Sequence, residues 1–162
     1  MQSVLKDIQD TVSNYAKILS HIIKVDVEIV DSNLYRIAGT GNFAGKINED
    51  MSCEGFVYQT VLATGEPQLI REPGRHPLCA SCPKRHLCEE KLELCTPIKL
   101  DNEIIGVIGL ICFTDEQRDH LLQEVDVYKE FLDQIAGFIS IKAYENKENE
   151  RAAMLMKLLN VV

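Results

Sequence analysis

The sequence predicts a single α+β domain in which an antiparallel sheet is flanked by helices. The chain has 162 residues and a hydrophobic content of 46%, which is enough to build one domain with its own core. Helical patterns of apolar residues lie at both ends of the chain, and segments with the alternation of strands lie between them. Short turns connect successive strands, and this favours antiparallel pairing.

The first half of the chain is predicted to contain two helices and three strands. Residues 3–24 carry apolar side chains at three- and four-residue steps, which indicates an amphipathic helix. Alternating polar and apolar residues predict strands at 26–31 and 34–39. A short helix is predicted over 52–63 and a brief strand over 68–70. The glycine and proline between these two segments end the helix.

The second half is predicted to contain a hairpin and a long helix. Residues 94–100 and 103–113 form two strands joined by the two-residue turn at 101–102. The second of these strands is apolar on both faces, so we expect it in the centre of the sheet. Thr114 and Gln117 have the spacing of a capping box, which opens the last helix.

The last helix is predicted to reach about residue 159 and to pair with a second copy of the chain. Such a helix is roughly 65 Å long at 1.5 Å per residue, which exceeds the body of a domain of this size. Apolar residues in a strict 4-3-4-3-4 order suggest a heptad seam for a homodimer. The seam consists of Leu121, Val125, Tyr128, Leu132, Ile135 and Ile139. The alternative is a break near Asn146, after which the helix folds back.

Four cysteines in one loop give the strongest indication of function. Their spacing is C-x2-C-x5-C-x6-C, and the four residues are Cys79, Cys82, Cys88 and Cys95. Neighbouring thiolates repel one another unless a cation neutralises them, so this spacing predicts a metal centre. Cys112 lies within an apolar strand and is expected to be a buried core residue.

Either a 4Fe–4S cluster or Zn²⁺ would accept four thiolates. A compact zinc site usually has two C-x2–4-C pairs, whereas this chain has one pair and two single cysteines, so we favour the 4Fe–4S cluster. Reduced thiols without a metal, or an adventitious disulfide, stay open as alternatives. His76, His86 and Cys53 are possible substitute ligands; the simpler expectation is solvated loop histidines and a Cys53 that packs in the core.

Composition argues against several classes of function. The formal net charge is -8, which disfavours direct binding of nucleic acid. No apolar run has the length of a membrane span, and the first residues lack the pattern of a signal peptide, so we expect a cytoplasmic protein. In that compartment cysteines serve as metal or redox ligands rather than disulfides. We expect no enzyme, since no catalytic triad, paired carboxylate site or H-E-x-x-H motif is present.

The order of these elements resembles a GAF domain. The resemblance is carried by Gly65-Glu66-Pro67, by the strand at 96–100 and by the turn and strand at 101–110. It implies a GAF-like antiparallel sheet, long terminal helices that form a dimer bundle, and a ligand pocket between the sheet and the cysteine insert. The implied divisions are an N-terminal dimerisation helix at 1–24, a GAF-like core at 25–114 with the insert at 71–95, and a C-terminal signalling helix at 115–162.

The chain further resembles the N-terminal sensory region of sigma-54-dependent transcription activators, a subset of which carries cysteine clusters. This resemblance implies a regulatory domain that senses redox state, oxygen or nitric oxide through an iron–sulfur cluster. A helical dimer would relay the signal to ATPase and DNA-binding domains in a longer parent chain. The cysteine loop itself resembles the 4Fe–4S loops of endonuclease III-type DNA glycosylases and of WhiB-type regulators.

Two other functions stay open for a GAF-like chain. The first is a small-molecule-binding GAF domain in which a structural Zn²⁺ holds the insert. The second is an enzyme, because free methionine sulfoxide reductases share the GAF fold and use cysteine thiols. We rank the enzyme lowest, since thiols held by a metal are not available as nucleophiles.

Overall fold

A computed structural model describes residues 2–160 of the chain. Met1, Val161 and Val162, the outermost residues of the predicted terminal segments, lie outside the described residues. The strands are β1 (Asp26–Asp31), β2 (Arg36–Gly39), β3 (Gln68–Ile70), β4 (Leu92–Leu100) and β5 (Glu103–Cys112). They form one antiparallel sheet in the order β2-β1-β5-β4-β3. This confirms the predicted α+β fold and the central position of the last strand.

Five α-helices accompany the sheet. They are α1 (Val4–Asp7), α2 (Gln9–Ile23), α3 (Phe56–Thr64), α4 (Asp115–Gln123) and α5 (Val125–Leu159). The two predicted terminal helices are each divided, because the backbone leaves the helical region at Ile8 and at Glu124. The predicted capping box is confirmed at Thr114 and Gln117. The alternative break near Asn146 is wrong, since α5 is continuous over 35 residues, roughly 52 Å.

The start of the third helix differs from the prediction. Helix α3 begins at Phe56 with Gly55 as its N-cap, four residues later than the sequence suggested. The preceding residues form a turn instead, in which Asp50 accepts a hydrogen bond from the Ser52 amide at 2.8 Å. Cys53 lies in this turn and is exposed, so the expectation that it packs in the core is wrong.

The helices divide unequally between the two faces of the sheet. Helices α1, α2, α4 and α5 cover one face and form the larger apolar core with it. Helix α3 and the cysteine insert cover the other face around a smaller cluster that includes Tyr58, Val61, Cys95 and Val107. A Cβ at Gly109 of β5 would lie 2.6 Å from the Tyr58 hydroxyl, so glycine is what lets this tyrosine lie across the strand.

The predicted dimer seam is wrong. Leu121, Leu132 and Ile139 are no more than 1% exposed and belong to the core between the chain's own helices and sheet. Val125, Tyr128 and Ile135 are partly buried against the same core. A helix that packs on a sheet repeats its apolar residues at the same three- and four-residue steps as a coiled coil. The spacing therefore marks the face of the helix that covers the sheet.

Replacing Leu132 with alanine should destabilise the folded chain. We expect the free energy of unfolding to fall by about 2–5 kcal/mol, because the change leaves a cavity between α5 and the sheet. Denaturant unfolding measures this value. The matched control is Met154→Ala on the same helix, which is 66% exposed and should change stability by less than about 0.5 kcal/mol. Equal effects of the two substitutions would contradict the burial of this face.

Candidate functional site

A cavity of about 560 Å³ lies between the second face of the sheet, α3 and the cysteine insert. Three of the four predicted metal ligands, Cys79, Cys82 and Cys88, line it. Aromatic and aliphatic side chains, among them Phe43 and Phe113, form other parts of its wall. The insert therefore forms one side of this half-open cavity and brings its thiols to it.

Tight turns within the insert position the first two cysteines. The amide of Cys79 donates to the His76 carbonyl at 2.8 Å, and the amide of Cys82 donates to the Cys79 carbonyl at 3.0 Å. The Arg85 amide continues the series by donating to the Cys82 carbonyl at 3.2 Å. The C-x2-C spacing thus corresponds to successive turns, which hold the two residues on one side of the insert.

A glycine brings the third cysteine close to the start of the insert. Gly74 has a φ of +85°, and a Cβ there would lie 2.5 Å from the Arg85 carbonyl oxygen and 3.1 Å from the Cβ of Cys88. Only glycine accepts both this backbone conformation and this close approach. Two distant parts of the insert therefore meet where Cys88 reaches the cavity.

The fourth predicted ligand, Cys95, lies in β4 beneath the cavity and does not line it. Its side chain is fully buried in the smaller apolar cluster, and its Sγ lies 3.8 Å from the carbonyl oxygen of Gln68 on the neighbouring strand. Cys79 packs against the same cluster, so the two cysteines belong to adjoining layers. Cys112 is buried in the other core, as the sequence predicted.

The possible substitute ligands do not line this cavity. His76 caps a turn, where its Nδ1 accepts a hydrogen bond from the Leu78 amide at 3.1 Å. His86 accepts a hydrogen bond from Arg85 at 3.2 Å on the exposed side of the insert. Over residues 2–160, no three His, Cys, Asp or Glu side chains are already arranged as a ligand set. Three thiols on one cavity are nevertheless the donor type that zinc and iron–sulfur clusters accept.

Sequence reasoning missed the buried ion pair on the floor of the cavity. Arg36 of β2 donates from Nε to Glu28 Oε2 of β1 at 2.6 Å, and both side chains are at most 3% exposed. The Tyr58 hydroxyl donates to Glu28 Oε1, also at 2.6 Å. The guanidinium of Arg36 lies 5.3 Å from the centre of the Phe43 ring. The only sequence signal was a charged residue at an inward position of each strand.

Four further carboxyl groups line the cavity, those of Glu54, Glu89, Glu90 and Glu93, and the pKa values of the last two are raised. Burial raises the pKa of Glu93 well above its usual range, and the charges of Glu90 and Glu28 raise it further. Burial and the Glu28 charge raise the pKa of Glu90 to about 7. The wall thus places carboxyl groups that can hydrogen-bond beside the thiols, while Arg36, Lys46, Lys84 and Arg85 line the same cavity.

The thiols on the cavity wall are poor nucleophiles in this state. Partial burial and the neighbouring Glu90 carboxylate raise the pKa of Cys88 to about 11. Burial also raises the pKa of Cys79, and the nearby Glu93 and Cys82 act in the same direction. Both groups are therefore protonated near neutral pH, and any metal that they bind must displace their protons.

Within the described part of the chain, no helix has the length and apolar character needed to cross a membrane. A family model described as "GAF domain" matches residues 1–141. The chain is also 33% identical over 146 residues to UacR of Escherichia coli (strain K12). The full name of that relative is "Putative uric acid sigma-54-dependent transcriptional regulator UacR". This similarity covers 90% of the chain and 25% of UacR, so the chain spans a quarter of the length of that relative.

Solved structures share the fold. The GAF domain of the A. aeolicus protein nlh2 in an inactive state superposes with a TM-score of 0.63 at 19% identity, covering 86% of this chain and 85% of that one. The free methionine-R-sulfoxide reductase from Neisseria meningitidis, solved with its substrate, gives a TM-score of 0.61 at 18% identity, covering 90% and 82%. At such identities the similarity shows the fold alone.

The cavity carboxyl groups should make stability depend on pH. The folded-state pKa of Glu90 is about 7 against an ordinary value of 4.5, so the folded chain binds more protons between these values than the unfolded chain. The free energy of unfolding should therefore decrease as the pH rises through this window. The raised pKa of Glu93 acts with the same sign. Denaturant unfolding of the metal-free protein at a series of pH values measures the slope.

The double variant Glu90→Gln/Glu93→Gln is the control for this titration, since glutamine has nearly the same shape and no proton to lose. Its stability should vary less over the same window than that of the unmodified chain. Glu28 remains in both proteins, but in the variant its charge no longer faces a titrating Glu90 or Glu93. Identical slopes for the two proteins would contradict the assignment of the titration to this wall.

Proposed function

Because the chain belongs to the GAF domain family, we propose that it is a sensory domain and that its signal is received in the cavity lined by Cys79, Cys82 and Cys88. Its similarity to UacR supports a place in a bacterial sigma-54-dependent transcriptional regulator. In this proposal the parent protein is longer and cytoplasmic, with ATPase and DNA-binding domains that act on the DNA. The domain itself, with its net charge of -8, contacts neither nucleic acid nor membrane.

The proposed receiving group is a 4Fe–4S cluster, with Zn²⁺ as the alternative metal. The observation that carries a metal centre is the arrival of three soft thiols at one cavity wall, and the uneven cysteine spacing favours the cluster over zinc. A bound cluster would supply a centre that changes or is lost in response to oxygen, nitric oxide or redox state. Cys79, Cys82 and Cys88 would hold the cluster as thiolates, and each releases its proton when it does so.

The insert is positioned to pass a change at the cavity to the sheet. Leu78 and Cys79 pack against the smaller apolar cluster, which contains Cys95 of β4. The next residue, Thr96, points to the opposite face, where its hydroxyl donates to Asp133 Oδ1 of α5 at 2.6 Å. A shift of the insert would therefore reach α5 through adjoining packed side chains and one hydrogen bond.

A homodimer of α5 helices is the proposed carrier of the signal beyond the domain. A second stripe runs along α5 at four- and three-residue steps; apolar residues hold most of its positions, and Gln134, Glu145 and Glu148 hold the others. Its apolar members are Val127, Phe131, Phe138, Ile141, Ala152, Leu155 and Leu159. Val127, Phe138, Ile141, Leu155 and Leu159 are between 49% and 71% exposed, while Phe131 partly packs on the core. This stripe, and not the buried seam, has the spacing that two parallel copies need.

The length of α5 also favours a second copy as the occupant of this stripe. Ala143 is the last buried residue of the helix, and the 16 residues from there to Leu159 extend roughly 24 Å. Among the described residues, the apolar side chains of this extension are exposed. The same helix from a second chain, in register, would cover identical positions along the whole stripe.

A small organic ligand is the second candidate function. The buried carboxyls of Glu28 and Glu93 and the Tyr58 hydroxyl place hydrogen-bonding groups beside the rings of Phe43 and Phe113, whose centres are 5.8 Å apart. Such a wall suits a planar heterocycle with N–H donors, the class to which uric acid in the name of UacR belongs. In this case a structural Zn²⁺ would hold the insert closed over the ligand.

Enzymatic use of the cysteines has less support. The similarity to a methionine-R-sulfoxide reductase shows the fold alone. The raised pKa values of Cys79 and Cys88 leave little thiolate at neutral pH, whereas a catalytic cysteine needs thiolate character. We therefore place the chain among sensors.

Replacing Cys82 with serine should remove the metal centre. Protein expressed and purified without oxygen is analysed for iron, acid-labile sulfide, zinc and visible absorbance. We expect the iron content of Cys82→Ser to fall at least tenfold, because serine lacks the soft thiolate that holds the cluster. The matched control is Cys112→Ser, which changes a cysteine in the other core and should keep its iron. Zinc at one per chain without iron would decide for the second candidate function.

Replacing Phe138 with glutamate should weaken the dimer. The change puts a charge at the centre of the exposed stripe, and we expect the dissociation constant to rise at least tenfold, about 1.4 kcal/mol. Sedimentation equilibrium measures it. The control is Met154→Glu, which is also exposed on α5, at 66%, but lies off the stripe. An unmodified chain that stays monomeric, or equal weakening by both substitutions, would contradict this interface.

A further inference from the structure

Cys95 is badly placed to be the fourth ligand of the proposed centre. It lies in the middle of the sheet, where it pairs with Gln68 of β3 and with Gly109 of β5. Its side chain is fully buried among apolar residues, and its Sγ is directed to the Gln68 carbonyl oxygen. Bringing this sulfur into the cavity would break its hydrogen bond to the Gln68 carbonyl and displace the apolar side chains that bury it.

Glu90 is better placed, since it lines the same cavity as the three thiols. Its Oε2 accepts a hydrogen bond from the Sγ of Cys88 at 3.9 Å. Among the side-chain hydrogen bonds of the described residues, this is the one that joins a carboxylate to one of these three cysteines. Residues 88–90 have no regular secondary structure, and β4 begins only at Leu92. This segment can therefore adjust around a bound group without disturbing the sheet.

We infer that Glu90, and not Cys95, supplies the fourth ligand to the centre held by Cys79, Cys82 and Cys88. This inference rests on the proposed metal centre. A carboxylate oxygen coordinates zinc and iron, and it carries the same formal charge as a thiolate, so the ligand set keeps its total charge. The bound cation also compensates a carboxylate that otherwise faces the charges of Glu28 and Glu54.

A single oxygen ligand has a consequence for sensing. Soft metal centres hold thiolates more tightly than carboxylates, so the position held by Glu90 exchanges most readily. The position that faces the cavity is then the one at which a small signal molecule replaces a protein ligand. Cys95 keeps a different role, which is to fill the apolar layer between the insert and Thr96 of β4.

The test compares Cys95→Ala with Glu90→Gln in the full chain, purified without oxygen. Iron and sulfide are counted, and the reduced samples are examined by electron paramagnetic resonance. We expect Cys95→Ala to keep the iron content of the unmodified chain, and Glu90→Gln to lose it at least tenfold. Glu93→Gln is the matched control on the same wall and should keep its iron. Glu90→Cys should restore the iron with an altered resonance spectrum, which distinguishes a lost ligand from a misfolded insert.

The outcomes separate this inference from the function on which it rests. If a folded Cys95→Ala protein loses its iron, the assignment of Glu90 is overturned and Cys95 is restored as a ligand. This holds whether or not the Glu90→Gln protein keeps its iron. The metal centre itself would survive that result. Full retention of iron by Cys82→Ser would overturn both proposals, because then the insert holds no centre.

Discussion

The buried pair between Glu28 and Arg36 is the interaction on which the rest of the site depends. It joins β1 to β2 inside the sheet, and Tyr58 of α3 adds a hydrogen bond to the same carboxylate. Breaking such a pair by removing one partner costs about 3–5 kcal/mol, because the other charge stays buried. The hydrogen bond from Tyr58 ties α3 to this pair and so to the sheet. Gly109 leaves room for the tyrosine, and the space that remains is the cavity that the insert closes.

The insert and the long helix lie on opposite faces of one sheet, so strand β4 is the element that connects them. Consecutive residues of a strand point to opposite faces. Cys95 therefore packs under the insert while Thr96 contacts Asp133 of α5. A change in how the insert packs on its side of β4 alters the support of the helix on the other side. In the proposed function, this is the path by which a signal would reach α5 without a hinge between two domains.

Much of the fold was predictable from local patterns, whereas the site was not. The capping box at Thr114, the hairpin and the apolar last strand depend on neighbours in sequence. The 4-3 spacing of α5 was assigned to a partner helix because packing on a sheet and packing on a helix produce the same periodicity. Glu28, Arg36 and Glu93 escaped notice because their partners come from other strands. The cysteine spacing predicted that thiols would come together at one place. It could not predict the burial of Cys95, because that burial depends on the register of β4 with its neighbouring strands.

The central claim is that the thiols of Cys79, Cys82 and Cys88 converge on one inorganic centre. A crystal structure of protein purified without oxygen, with anomalous diffraction data collected on both sides of the iron edge, tests it most directly. The account predicts an iron signal in the cavity within bonding distance of all three sulfur atoms. An ordered insert with three separate, unbonded thiols and neither iron nor zinc between them would contradict it.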